Sequence, residues 1–553
     1  MINHLQDNST DKEFEKKHSK PDPIGLEIFK HLFAAIADEM GVVLRKASYS
    51  PNIKERRDFS CALFNDQGMM VAQAAHIPVH LGSMPLSVEA AIQSFKDQSD
   101  GDAILLNDPF RGGTHLPDIT LVSPVFIESS QSPEVSSEKR LFGFVASRAH
   151  HSDVGGISPG SMPVAREIFQ EGLIIPPVRL VKAGELDQDL LDLILANVRT
   201  PHERAGDIWA QIAANQRGVE RLVSMVNSYG LKEVSHYMHE LLAYTERMTR
   251  SLLRSLPNGR YTYTDFLDDD GVNDEPVPIT ATITIEGDSA TVDFTGSAPQ
   301  QKGSVNAVYA VSLSAVYYVF RCLLDLDIPN NAGCLAPIKV IAPEGTVLNA
   351  LPPAPVAGGN VETSQRIVDV LLGALSRATP NLIPAASQGT MNNLTIGGYD
   401  DQRKRAFAYY ETIGGGMGAC LGADGLSAVH SHMTNTLNTP VEALEYNYPL
   451  RIICYKVRRG SGGEGKFRGG DGIQRDIQVL VDAQVTLLSD RRNYSPYGMM
   501  GGNPGKPGQN ILVHGLGTVD CKEIPLPSKC SFEIKAGDIL SIHTPGGGGY
   551  GHR

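Results

Sequence analysis

From Gly414 to the end, the chain keeps returning to glycine: "GGGMGA", "GSGGEGKFRGGDG", "GMMGGNPGKPG" and "TPGGGGYG". There are 55 glycines among 553 residues, roughly a tenth of the chain where about 7% is usual. The clusters sit in distinct local contexts with no fixed period, so they are not low-complexity sequence. Glycine lacks a Cβ, which permits tight turns and close backbone approach at an entropic cost. A chain that accepts that cost so often must be rich in turns and closely packed loops. In the last hundred residues, short strand-like segments alternate with these Gly/Pro turns.

Upstream the periodicities are clearer. From Pro23 to about Ser50, apolar residues recur at i, i+3, i+4 and i+7, which predicts an amphipathic helix. "CALFNDQGMMVAQAA" predicts a hairpin with its turn at Asn65–Gly68. "AILLN", "ITLVSPVFI" and "RLFGFVAS" predict further strands, the last two separated by an exposed Ser/Glu-rich insertion, "ESSQSPEVSSEK". A helical pattern fills Asp187–Leu256, alternating segments after Gly259 predict antiparallel sheet, and "NAVYAVSLSAVYYVFRCLLD" and "ETSQRIVDVLLGALSRA" predict helices. The expected class is α+β, multi-domain, with mixed helices and largely antiparallel sheets. Residues 1–22 read as a disordered tail, 23–256 as an N-terminal α+β domain, and 257–553 as a C-terminal α+β region. The boundary falls at Pro257-Asn258-Gly259.

The formal net charge is −13, with no Lys/Arg-rich block, which argues against nucleic-acid or acidic-membrane binding. Seven scattered cysteines without a C-x-x-C pair suit a reducing, cytoplasmic setting. No run of about 18 apolar residues predicts a membrane span.

Two His-Asp clusters carry the chemical interest. His115-x-x-Asp118 lies in "NDPFRGGTHLPD", and His150-His151-x-Asp153 in "SRAHHSDVGG". Both fall at strand ends beside glycine-rich turns. Two imidazoles and a carboxylate form a common set for Zn, Mn or Fe with open positions for water or substrate. Asp58, after "KERR", is a further candidate carboxylate. The competing reading is that these residues only cap turns, and spacing alone does not decide between them. His76 and His80 flank Pro78 and read as pocket-lining or structural.

Other motifs point away from catalysis. "GSGGEGKF" matches the start of a phosphate-binding loop, but Phe467 stands where Ser or Thr must hold Mg²⁺ and no helix is expected to follow. "GGGMGA" reads as a turn or close-packing device and not as a dinucleotide fingerprint. Ser364 and Ser387 are hydroxyls in polar, glycine-flanked loops, and local bonds to backbone account for them best. The segment His430–Glu445 gathers His430, His432, Asn435, Asn438, Glu442 and Glu445 in a loop that faces either substrate or an interface, with a helix starting near Pro440.

Taken as a set, these motifs with "PGSMPVAREIFQEGLIIPPVRL", "NVRTPHERAGDIWAQIAANQRG", "GGNVETSQRIVDVLLGAL", "SQGTMNN", "YYETIGGGMGA" and "HMTNTLNTPVEALE" resemble the hydantoinase B/5-oxoprolinase family. The resemblance runs from about residue 23 to the end. It implies a B-type subunit of an ATP-dependent cyclic amidohydrolase such as N-methylhydantoinase, 5-oxoprolinase or caprolactamase, with acetone and acetophenone carboxylases more distant. In that family an A-type partner holds ATP and Mg²⁺ and phosphorylates the substrate, in a hetero-oligomer. The resemblance further implies a divalent metal, Zn or Mn, held by His115, His150 and either Asp118 or Asp58, with His150 favoured over His151. Asp153 would then orient a ligand imidazole, and His115, Asp118, His150 and Asp153 would serve catalysis. The alternatives are the α-type subunit of a ketone carboxylase and a non-catalytic structural partner.

Overall fold

The computed structural model describes residues 22–74, 77–128, 139–324, 327–515 and 521–553. The expected tail (but for Asp22), most of the Ser/Glu-rich insertion and His76 lie outside them. The class is α+β, and all four sheets are largely antiparallel, as the sequence predicts.

The first helix, α1 (Pro23–Ala47), is capped by Asp22, whose carboxylate accepts from the N–H groups of Ile24 and Gly25. Its apolar stripe buries Phe29, Phe33, Ile36, Met40 and Leu44. A short helix, α2 (Pro51–Lys54), leads into the predicted hairpin of β1 (Phe59–Asn65) and β2 (Met70–Gln73). Its turn is tied by Asn65 Oδ1, which accepts from Gln67 and Met69 N–H. Then come α3 (Ser83–Ser94), β3 (Ala103–Leu106), β4 (Asp118–Glu128), β5 (Lys139–His150), β6 (Val178–Lys182) and β7 (Glu185–Leu186). The strands form one seven-stranded sheet in the order β2-β1-β5-β4-β3-β6-β7.

Helices α4 (Gln188–Leu195), α5 (Pro201–Tyr229) and α6 (Leu231–Ser255) follow. The long α5 packs on β4 and β5, and α1 packs on α5. Strands β8 (Gly259–Leu267), β9 (Val277–Glu286), β10 (Ser289–Asp293) and β11 (Ile338–Ile341) make a second sheet, with α7 (Tyr309–Cys322) inserted before β11. The only parallel pair among the named strands is β10 with β11. Helix α8 (Ser364–Leu375) is buried along its whole length. The remaining strands are β12 (Asn393–Asp400), β13 (Arg405–Glu411), β14 (Leu450–Arg458), β15 (Gly472–Val479), β16 (Ala483–Leu488), β17 (Gln509–His514), β18 (Lys522–Leu526), β19 (Lys529–Ile534) and β20 (Ile539–His543). They build two sheets, β13-β12-β16-β19 and β14-β15-β20-β17-β18. Helix α9 (Val441–Asn447) starts after Pro440, where the sequence predicts a start.

Residues 256–259 join α6 to β8, yet the largest apolar cluster runs across that point. It unites Leu105, Ile119 and Leu121 with Ile283, Val316 and Val368. Buried ions bind the later elements together. Arg366 on α8 reaches Asp265 at 3.0 Å and Asp490 at 2.8 Å, and Lys529 on β19 meets Asp490 at 3.0 Å.

The glycine clusters form a lattice of backbone against backbone. Gly470 N–H bonds to Met417 O, Gly547 N–H to Gly470 O, Gly463 N–H to Gly547 O and Gly549 N–H to Asn503 O, all within 2.9 Å. A Cβ on Gly416 would stand 2.0 Å from Gly470 O, and one on Gly547 2.0 Å from Met417 O. Only glycine lets strands of chain lie this close. The phosphate-loop lookalike is part of this lattice: after Lys466, Phe467 pairs with Tyr550 and opens no helix. No helix among the described residues is long and apolar enough to cross a membrane.

Candidate metal centre

Sheet register assembles the site. Asp118 opens β4 and His150 closes β5, and the antiparallel pairing sets these two residues directly opposite each other. Cross-strand partners on one face stand within side-chain reach, so the strand ends bring imidazole and carboxylate together. His115 comes from the turn just before β4, where Asp118 N–H returns to His115 O. The turn is compact because Gly112 takes a φ of 89° and Asp108 caps Phe110 N–H.

Asp118 Oδ1 lies 3.0 Å from His115 Nε2 and 3.1 Å from His150 Nδ1. Its Oδ2 accepts from Thr114 Oγ1 at 2.8 Å and stands 3.4 Å from His80 Nε2. His80 is fixed in turn by Ser60 Oγ, 2.9 Å from its Nδ1. One carboxylate oxygen is thus held by Thr114 and His80, and the other is aimed between two imidazoles. Asp118 and the three imidazoles are all buried. His150 is stacked at 4.1 Å on the Tyr410 ring, and Arg56 lies 5.0 Å from that ring's centroid.

Burial raises the cost of ionising Asp118, but the charge of His115 and hydrogen bonds from His115, His150 and His80 outweigh it. The carboxyl is held well below its usual range. Burial pushes the His150 and His80 imidazoles down against the pull of Asp118. A neutral imidazole is the form that binds a metal.

The donor set fits a divalent ion. Among the described residues, His115, Asp118 and His150 form the one group of three whose ligand atoms all lie within 4.8 Å of one another. Ligands each about 2.1 Å from one ion and at right angles stand about 3.0 Å apart, close to the separations observed. His115 Nδ1 and His150 Nε2 have no hydrogen-bond partner though buried.

The other candidates lie differently. His151 points to the opposite face of the strand end, where Gln211 Oε1 is 2.9 Å from its Nε2, and burial pushes it down to about 4. Asp58 precedes β1 at the same sheet end, and its backbone oxygen accepts from His150 N–H. Its carboxyl stands outside the three-residue group, and burial raises it against the charge of His150. Asp153 has no imidazole among its hydrogen-bond partners. It accepts from the N–H groups of Gly155, Gly160 and Arg199 and from the Arg199 guanidinium, tying the loop after β5.

Ser364 Oγ bonds back to Asn360 O, and Ser387 Oγ accepts from Gly418 N–H, the local bonding expected of them. His430 and His432 are buried, while Asn438 and Glu445 tie down neighbouring chain. Sequence reasoning missed Thr114, Tyr410 and Asn360 as neighbours of the cluster. It gave His80 only a bland role, and Pro78 beside it gave no signal of a contact with Asp118.

Residues 22–553 match the family model described as hydantoinase B/oxoprolinase. The chain belongs to this family. It is 41% identical to 5-oxoprolinase 1 of Arabidopsis thaliana over 96% of its own length, spanning 42% of that longer protein. It is 31% identical to a Pseudomonas sp. protein provisionally named as the B-type subunit of a D-/L-hydantoinase, covering 96% of this chain and 90% of that one. The crystal structure of ATP-dependent caprolactamase from Pseudomonas jessenii superimposes with a TM-score of 0.87 at 29% identity, covering 97% of this chain and 92% of that one.

Proposed function

We propose that this family member is the B-type subunit of an ATP-dependent cyclic amidohydrolase. An A-type partner phosphorylates the ring-amide oxygen, and this chain receives the activated substrate and opens the ring. The observation that carries the reading is the buried His115–Asp118–His150 cluster, in a chain similar to proteins named as a 5-oxoprolinase, a hydantoinase component and a caprolactamase. The Arabidopsis relative is more than twice as long, which supports a second, separate component for this shorter chain. The lattice position of "GSGGEGKF" supports placing the ATP site there too.

His115, Asp118 and His150 would hold the metal, Zn or Mn. A divalent ion so held supplies a bound water with a pKa near about 7. The chain's own residues do the rest. Asp118 presents one oxygen to the imidazoles because Thr114 and His80 restrain the other. Tyr410 fixes the plane of His150 by stacking. Burial of the cluster shields an activated amide from bulk water. Water adds to the activated carbon, the ring C–N bond opens, and phosphate is released. Asp153 acts on this site through the loop after β5 that it anchors.

The test is co-expression with the large subunit and measurement of ATP hydrolysis against hydantoins, 5-oxoproline and lactams. Stimulation by at least one cyclic amide, lost in His115→Ala, is expected. ATP-independent ring opening by this chain alone would overturn the reading.

A further inference from the structure

Asn360 reaches the His–Asp–His cluster from a segment more than two hundred residues downstream. Its Nδ2 stands 3.1 Å from His115 Nε2 and 3.3 Å from Asp118 Oδ2, and the residue is 4% exposed. Oδ1 of the same amide is buried with no hydrogen-bond partner. Such an oxygen costs about 1–3 kcal/mol to leave unpaired, so its position needs a reason.

The backbone around it is built for the placement. Gly359–Thr363 form a π-turn ahead of α8, a conformation that is rare and frequent at functional sites. A Cβ on Gly359 would lie 1.8 Å from Asn306 O, so only glycine lets the turn settle there. Glu171, from the other half of the chain, accepts the N–H groups of Val356 and Ala357 just upstream. Both flanks of the turn are therefore pinned, and the Asn360 side chain is aimed at the cluster.

The two ends of a side-chain amide have nearly the same shape and opposite polarity, and a half-turn exchanges them. We infer that Asn360 is a fourth metal ligand of this site, turning Oδ1 to the divalent ion when it is bound. The inference rests on the metal reading proposed above. An N–H facing a cation is repelled, whereas the oxygen in its place is a neutral donor. That position is 3.1 and 3.3 Å from two other donors, the spacing that ligands of one ion adopt. An added carbonyl oxygen shifts two nitrogens and one oxygen to two and two, which favours the harder Mn²⁺ relative to Zn²⁺.

The test titrates Mn²⁺ and Zn²⁺ separately into the full-length chain in competition with a chelator. Wild type, Asn360→Leu, Asn360→Asp and Asp118→Asn are compared, with circular dichroism to verify folding. Asn360→Leu is expected to weaken Mn²⁺ binding about tenfold or more, and Zn²⁺ binding less. Asn360→Asp, nearly isosteric and anionic, is expected to bind Mn²⁺ at least as tightly as wild type. Unchanged Mn²⁺ affinity in Asn360→Leu overturns the inference, because a packing residue would behave so. If that variant does not fold, weaker Mn²⁺ binding by Asn360→Asp overturns it instead. Wild-type affinity in Asp118→Asn, or no binding by wild type, defeats the metal reading itself and the inference with it.

Discussion

Glu171 offers a perturbation whose size can be worked from the structure. It is fully buried, and its only hydrogen bonds among the described residues come from the N–H groups of Val356 and Ala357. Burial raises its carboxyl from 4.5 to about 8, against the opposing effect of those two bonds. Below pH about 4.5 the group is protonated in both folded and unfolded chains, and no penalty arises. Between about 4.5 and about 8 the unfolded chain ionises while the folded chain stays neutral, so stability falls as pH rises. At about 1.36 kcal/mol per pH unit, the loss over that window approaches about 5 kcal/mol, to order of magnitude. Glu171→Gln keeps an acceptor for the backbone and removes the titration. Urea unfolding followed by circular dichroism at pH 5 and pH 8 measures the effect. Wild type should lose several kcal/mol more than Glu171→Gln between these pH values. Equal losses in the two proteins would refute the reasoning.

Other substitutions test separate parts of the structure. Asp153→Ala leaves three buried N–H groups and the Arg199 guanidinium unpartnered. It should destabilise by about 3–5 kcal/mol in thermal unfolding, while metal affinity per folded molecule stays within about twofold. Gly547→Ala places a Cβ 2.0 Å from the Met417 carbonyl oxygen, and the soluble folded yield should collapse, whereas Gly537→Ala meets no atom within 4 Å and should lower stability only through its positive φ. Asp490→Ala strips Arg366 and Lys529 of a buried partner and should cost about 3–5 kcal/mol, read from the unfolding midpoint.

Much of the framework was legible because its signals are local. The period of α1, the hairpin at Asn65 and the alternation of β8 and β9 depend on neighbours in sequence. The abundance of glycine foretold close backbone approach, but not that clusters near residues 417, 463, 470, 503 and 547 would meet in one lattice. The site divides the same way. His115, Asp118 and His150 could be named as a metal-ligand set, yet the choice of Asp118 over Asp58 waited on sheet register, which set Asp118 opposite His150. The choice of His150 over His151 follows from strand alternation, which turns the second imidazole to Gln211. Asn360 and Tyr410 arrive by tertiary packing, which leaves no mark at short range. The motif "GGNVETSQR" was visible, but it drew attention to Ser364, whose hydroxyl is absorbed by its own helix.

The central claim is that this chain opens a cyclic amide at His115–Asp118–His150 after activation by an ATP-binding partner. The most direct measurement is turnover of 5-oxoproline, hydantoins and lactams by the reconstituted pair, with wild type and His115→Ala compared with and without ATP. Ring opening by the wild-type pair that requires ATP, and falls by two orders of magnitude or more in the variant, is the expected result. Full turnover by His115→Ala would contradict it.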